Sequence, residues 1–201
     1  MSRRYTGRRA PYDSAVLTAT DPLPYRPRRV LVAGVSGSGK TTLAARLGAL
    51  LDLPHTEVDG LFHGAGWMRR PEFEAEVDAF SARDSWITEW QYSSVLELLA
   101  ERADTIVWND LPYPVVLSRV VRRTVRRSLR REELWNGNRE APLHTFFTDP
   151  DHVVRWSIKT RNKYRALVPA AAATHPHLTV VRLRRRRDVD RWLRDVVQPL
   201  A

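Results

Sequence analysis

From residue 29 onward, short apolar runs alternate with stretches whose apolar positions recur every three or four residues. Arg29-Val-Leu-Val-Ala33 is a brief run rich in β-branched residues, the pattern of a strand buried on both faces. In the next stretch, through Leu51, Leu43, Leu47, Leu50 and Leu51 share one helical face. A second strand is predicted near His55-Thr-Glu-Val58, ended by Asp59-Gly60, and a polar segment with Arg69, Arg70 and Pro71 leads to a helix over about 72–83. Ser85–Glu89 gives a third strand and about 93–102 its helix; Thr105–Trp108 gives a fourth, ending at Asn109-Asp110-Leu111-Pro112. A long helix follows from about Pro114 to Arg131, then an irregular stretch over 135–150 and a helix over about 151–168. Leu178–Leu183 is the fifth strand, and 188–197 the last helix. Strands alternating with helices predict an α/β fold, a three-layer α/β/α sandwich around a five-stranded parallel sheet. In such sheets ligands bind at the carboxyl ends of the strands.

Residues 1–28 break this rhythm. They carry arginines at 3, 4, 8, 9, 26 and 28 and prolines at 11, 22, 24 and 27. Little periodicity remains, so the expectation is a flexible basic arm over 1–28 and one domain over 29–201.

Composition narrows the classes without choosing one. At 201 residues and 43 % hydrophobic content the chain can bury a core, and no apolar run is long enough to span a bilayer. It has no cysteine, which excludes disulfide and thiolate-metal sites and, with no apolar leader pattern, predicts a cytoplasmic location. The six histidines show no metal-ligand spacing beyond His175 and His177 beside Pro176. The net charge is +10, and only Lys40, Lys159 and Lys163 of the 33 basic residues are lysines. Such basicity suits nucleic acid, but a polyphosphate ligand accounts for local arginine clusters equally well.

The candidate chemistry concentrates in Gly34-Val-Ser-Gly-Ser-Gly-Lys-Thr-Thr42, a complete G-x-x-x-x-G-K-[ST] loop between a strand pattern and a helix pattern. Gly34, Gly37 and Gly39 let backbone N–H groups converge on an anion, joined by Ser36, Ser38 and Thr42, while the helix start adds its partial positive charge. Lys40 is placed to reach the β- and γ-phosphates, and the Thr41 hydroxyl to ligate Mg²⁺. The expected ligands are therefore ATP and Mg²⁺. No N-K-x-D motif favours a guanine base.

Carboxylates cluster after three strands: Glu57 and Asp59, Glu89, and Asp110. Glu89 is the candidate to hold Mg²⁺ with Thr41, and Asp59 to orient or deprotonate an attacking hydroxyl. Asp59 and Asp110 are also good turn or cap residues in their own right, and Glu57 either points into the site or caps the strand edge. Arginines at 119, 122, 123, 126, 127, 130 and 131 form a helical stripe that runs into Leu134-Trp-Asn-Gly-Asn-Arg-Glu140. That turn-rich stretch, about 131–150, is expected to be a mobile lid whose arginines stabilise charge on a transferring phosphoryl group. Arg139, Arg131 and Arg127 are the candidates, with Arg161 a further option. Between the second strand and its helix, about 59–84, Phe62, His63 and Trp67 line either an acceptor pocket or the core.

Taken in order, GVSGSGKTT, EVDGLFHGAGW, WITEWQY, WNDLP and RVVRRTVRRSLRREELWNGNRE resemble the adenylate-kinase-like P-loop proteins over roughly 30–195. The similarity is greatest to the bacterial topology-modulation, or FlaR-like, subgroup. This resemblance implies a nucleoside-monophosphate-kinase fold, Mg-ATP, a mobile lid and phosphoryl transfer. EVDGLFH also resembles the acceptor segment of gluconate- and shikimate-kinase relatives, where an acid holds a hydroxyl; that role maps onto Asp59. The subgroup usually reads W-V-I-D-G-N-Y where this chain has Trp86-Ile-Thr-Glu-Trp-Gln-Tyr92, so Glu89 stands for an aspartate and Trp90 for a glycine.

The expected function is phosphoryl transfer from ATP to a nucleotide or another small hydroxyl or phosphate acceptor, with no membrane partner. The alternatives are a nucleotide-dependent nucleic-acid-binding or regulatory protein, and a weak ATPase.

Overall fold

The computed structural model describes residues 16–130, 132–138 and 153–201. Its strands are β1 (Arg29–Ala33), β2 (His55–Thr56), β3 (Trp86–Glu89), β4 (Thr105–Asn109) and β5 (Thr179–Leu183). They form one all-parallel sheet in the order β2-β3-β1-β4-β5. The helices are α1 (Lys40–Leu51), α2 (Val58–Phe62), α3 (Phe73–Ser81), α4 (Leu96–Arg102), α5 (Tyr113–Arg130), α6 (Val153–Lys159), α7 (Lys163–Thr174) and α8 (Arg186–Trp192).

The sheet is covered on both faces, which explains why its strands are continuously apolar. In β1, Val30 and Val32 face a core built with Leu43, Leu47, Val181 and Trp192. Leu31 and Ala33 face the other, with Phe73, Trp86, Leu99, Trp108 and Tyr164. Trp90 belongs to this second core: it is 1 % exposed, and its indole N–H donates to the Leu96 carbonyl at 3.0 Å.

Several boundaries move from the sequence pattern. β2 stops at Thr56, and Asp59 sits inside the short helix α2 rather than in the turn after the strand. The helix expected over 151–168 is two helices, broken at Thr160–Asn162. Arg131, Arg139 and residues 139–150 of the expected lid lie outside the described residues.

The expectation of a flexible arm over 1–28 requires correction for its second half. Leu17 bridges in parallel to Val181, with its N–H on the Val180 carbonyl and its own carbonyl receiving the Arg182 N–H, both at 2.8 Å. Ala19 and Leu23 are buried, and the Tyr25 hydroxyl donates to the Asp104 carbonyl at 2.6 Å. The prolines that obscure periodicity here do not prevent pairing with a sheet edge. Residues 1–15 lie outside the described set.

Candidate functional site

The loop after β1 and the start of α1 take the arrangement that the motif requires. Gly39 occupies the N-cap position with φ 93°, a left-handed conformation that glycine adopts without steric cost. No side chain caps α1, and no acidic residue sits in its first turn. The N–H groups there thus have neither a capping acceptor nor a local anion, and the helix end suits a phosphate.

The loop is held from below by α5. A Cβ on Gly37 would fall 2.3 Å from Val120 Cγ2 and 3.1 Å from the Val116 carbonyl oxygen, so the backbone rests directly on the helix. The buried Asn109 side chain, at the end of β4, donates to the Ser38 carbonyl at 2.8 Å. Arg119 donates to the same carbonyl at 3.3 Å, and Arg123 reaches the Ser36 hydroxyl at 3.3 Å.

Lys40 is half-buried, and burial pushes its ammonium below the ordinary range. Asp59 and Glu89 oppose that shift, while Arg123 and Lys163 reinforce it. These four charges therefore share the electrostatic neighbourhood of the loop lysine. A bound anion would relieve both the desolvation and the repulsion among its cations.

Glu89 ends β3 and is 2 % exposed. Its Oε1 lies 3.2 Å from His55 Nε2, whereas Oε2 is buried with no hydrogen-bond partner. Burial alone would raise this carboxyl. His55, the Glu89 backbone amide and the Thr41 hydroxyl outweigh it, holding the group below the usual glutamate range. An ionised, unpaired oxygen beside a loop threonine is a donor set that fits a hard divalent cation. Among the described residues no group of three or more His, Cys, Asp or Glu forms a metal cluster, so such an ion would draw further ligands from phosphate and water.

Asp59 lies in α2 and its charge acts on Lys40. Its Oδ1 accepts hydrogen bonds from Gln91 Nε2 and from the Tyr92 hydroxyl, each at 2.5 Å. The Tyr92 hydroxyl is also 3.1 Å from His63 Nε2. Burial and then the Asp59 charge raise the Tyr92 phenol, so it remains a protonated donor. Burial lowers His63 against the pull of Asp59, favouring a neutral ring. Phe62 stacks on Tyr92 with ring centroids 3.9 Å apart and meets Phe73 edge-on, which fixes the phenol. Tyr92 itself has φ 66°, a conformation sparsely used by bulky residues.

A cavity of about 200 Å³ opens beside the loop, lined in part by Val35, Asn109, Asp110, Tyr113, Arg161 and Arg165. Asp110 is spoken for: Arg182 bonds it through Nη2 at 2.5 Å and Nε at 3.0 Å, and Arg165 Nε lies at 3.6 Å. Arg182 also covers the Trp108 ring at 4.2 Å. Asp110 is therefore an anchor between β4, β5 and α7.

The structure thus brings Lys40, Thr41, Glu89 and Asp59 together at one end of the sheet. Arg127 has its Nε 3.6 Å from Glu132 Oε2. The stripe arginines bonded to the loop are Arg119 and Arg123, which the choice of Arg127, Arg131 and Arg139 passed over. The stripe contained them, and their nearness to the end of β4 was the signal available. Lys163, His55, Gln91 and Tyr92 were also not singled out as site residues; each meets the site only through chain crossing. Glu57 accepts the Trp135 indole N–H at 3.0 Å.

No protein-family model matches the chain, and no curated protein is significantly similar to it in sequence. Solved structures do resemble it. A gluconokinase from Sinorhizobium meliloti 1021 superposes with a TM-score of 0.52 at 17 % identity, covering 88 % of this chain and 93 % of that one. A shikimate kinase from Bacteroides thetaiotaomicron gives a TM-score of 0.46 at 14 % identity, with coverage of 83 % and 94 %. The fold is that of the P-loop kinases, a five-stranded parallel sheet between helical layers.

Proposed function

We propose that this protein is an ATP-dependent small-molecule kinase that moves the γ-phosphoryl group of Mg-ATP to a hydroxyl acceptor. The observation that carries this reading is that the charges of Asp59 and Glu89 both act on Lys40, with the Thr41 hydroxyl beside Glu89. Loop amides and Lys40 take the phosphates; Thr41 and Glu89 would hold Mg²⁺, which when bound would supply neutralising charge to the phosphates. Asp59, its Oδ1 occupied by Gln91 and Tyr92, offers Oδ2 to the acceptor hydroxyl. It orients that oxygen for in-line attack and accepts its proton. Arg119 and Arg123 steady the loop, and Lys163 adds positive charge near the transferring group.

A hydroxyl acceptor is favoured over a phosphate acceptor by the charges on the segment that follows β2. Arg70 is committed to Glu76 through two bonds of 2.8 and 2.7 Å, and Arg69 pairs with Glu74. Asp59 would repel a dianionic phosphate. The likeness of fold to a gluconokinase supports the same direction.

The test is a coupled assay with Mg-ATP against polyols, sugar acids, nucleosides and nucleoside monophosphates. Transfer to a hydroxyl compound is expected; silence across the panel from protein that still binds Mg-ATP would reject the kinase reading. A nucleic-acid-binding role draws on the exposed Arg122, Arg126 and Arg130 along α5. It requires salt-sensitive duplex binding that falls when these are replaced.

A further inference from the structure

The segment after β2 has little core of its own. Between Glu57 and Arg70 only Val58 is fully buried. The chain turns back at Gly64–Met68, where Gly64 N–H meets the Met68 carbonyl at 2.7 Å and His63 bridges to Arg69. Gly66 and Trp67 at the tip both have positive φ, 65° and 61°. For a tryptophan that conformation is strained and persists only where surroundings impose it.

The surroundings come from a turn some seventy residues later in the chain, Leu134–Asn138, just beyond α5. Asn138 is 5 % exposed and spends its amide almost wholly on this contact. Its Oδ1 accepts the N–H of the strained Trp67 at 2.9 Å; its Nδ2 donates to the Gly64 carbonyl at 2.8 Å and to the Trp135 carbonyl at 2.9 Å. Asn136, itself left-handed at φ 55°, donates to the carbonyls of His63 at 2.5 Å and Gly60 at 3.2 Å. Trp135 covers Gly60 so closely that a Cβ there would lie 3.1 Å from its Cδ1.

We propose that the 134–138 turn is a clasp that shapes the acceptor half of the site, with Asn138 as its positioning residue. The clasp acts on the backbone of His63 and Trp67. The His63 ring in turn lies edge-on to Trp67 and beside the Tyr92 hydroxyl that bonds Asp59. Asn138 touches neither the phosphate loop nor Asp59; it fixes the backbone from which the acceptor-side rings project. Its carboxamide accepts from one backbone N–H and donates to two carbonyls at once, a set that needs both the oxygen and the NH₂ group of an amide. This inference rests on the assignment of Asp59 to the acceptor side.

The experiment compares the full chain with Asn138→Ala and Asn138→Asp by hydrogen–deuterium exchange and by calorimetric titration with Mg-ATP. Asn138→Ala is expected to speed exchange over 57–67 by about tenfold or more, leaving sheet amides over 30–33 and 105–109 as protected as before. The Mg-ATP Kd should stay within about twofold. Asn138→Asp, which keeps an oxygen for Trp67 and loses the donors, should restore protection at Trp67 but not near Gly64. With any hydroxyl acceptor that the panel yields, Asn138→Ala should raise acceptor KM about tenfold and change kcat by less than about threefold. Unchanged exchange over 57–67 would overturn the inference, as would equal loosening of the sheet or an equal loss of ATP affinity. If the panel yields no acceptor, exchange and calorimetry still decide whether the clasp exists, separately from the kinase reading.

Discussion

Gly37 of the phosphate loop rests on Val120 of α5 so closely that a Cβ would sit 2.3 Å from Val120 Cγ2. With φ 80°, the same glycine also adopts a backbone conformation disfavoured for other residues. Gly37→Ala should therefore cost about 3 kcal/mol, from a left-handed alanine and an overpacked contact together. Denaturant unfolding measures this. Adding Val120→Ala should return part of the loss, because only the steric component is relieved.

Lys40→Ala removes the loop cation proposed to lie beside the transferring phosphates. Turnover should fall by about 100-fold or more, since fixed charge aimed at the developing transition state is lost. Steady-state kinetics with the acceptor found by the panel checks this; near-normal turnover would place the chemistry elsewhere.

Asp59→Asn keeps the shape that Gln91 and Tyr92 bond to while removing the proposed base. Transfer should drop by about 100-fold to 10,000-fold, the usual contribution of a positioned proton acceptor. Mg-ATP affinity, measured calorimetrically, should change little. Equal losses in both would reassign Asp59 to metal binding or folding.

Glu89 carries a pH dependence of definite sign. Its folded carboxyl is held below the usual glutamate range by His55, its own backbone amide and Thr41 acting against burial. A depressed folded value stabilises the protein fully above the unfolded value and is lost as pH falls through the folded one. Thermal melts of the wild type and Glu89→Gln should show a constant difference from pH 7 down to about 5, shrinking in more acid solution. A difference that instead grows in acid would mean that burial dominates the site.

Asn109 and Arg119 show where reading the chain stopped short. Each bonds the Ser38 carbonyl, yet they lie 71 and 81 positions beyond it. The glycine-rich loop, its flanking strand and helix, and the order of alternating elements were legible because they depend on local backbone freedom and on side-chain period. The break of the helix expected over 151–168 was hidden, since neither Thr160 nor Asn162 interrupts the apolar repeat as a proline would.

The amino-acid order alone therefore determined the glycine-rich loop proposed to hold phosphate, whose proposed chemistry rests on consecutive amides at a helix start and one adjacent lysine. Only the tertiary structure decided which arginines meet the loop, that Asp110 is occupied by Arg182, and that Trp90 packs in the core. It also placed Asn138 against Trp67 and Tyr92 against Asp59. Those pairings join residues far apart in the chain. Their geometry follows from how helices cross the sheet and from which side chains are left facing one another once its apolar faces are buried.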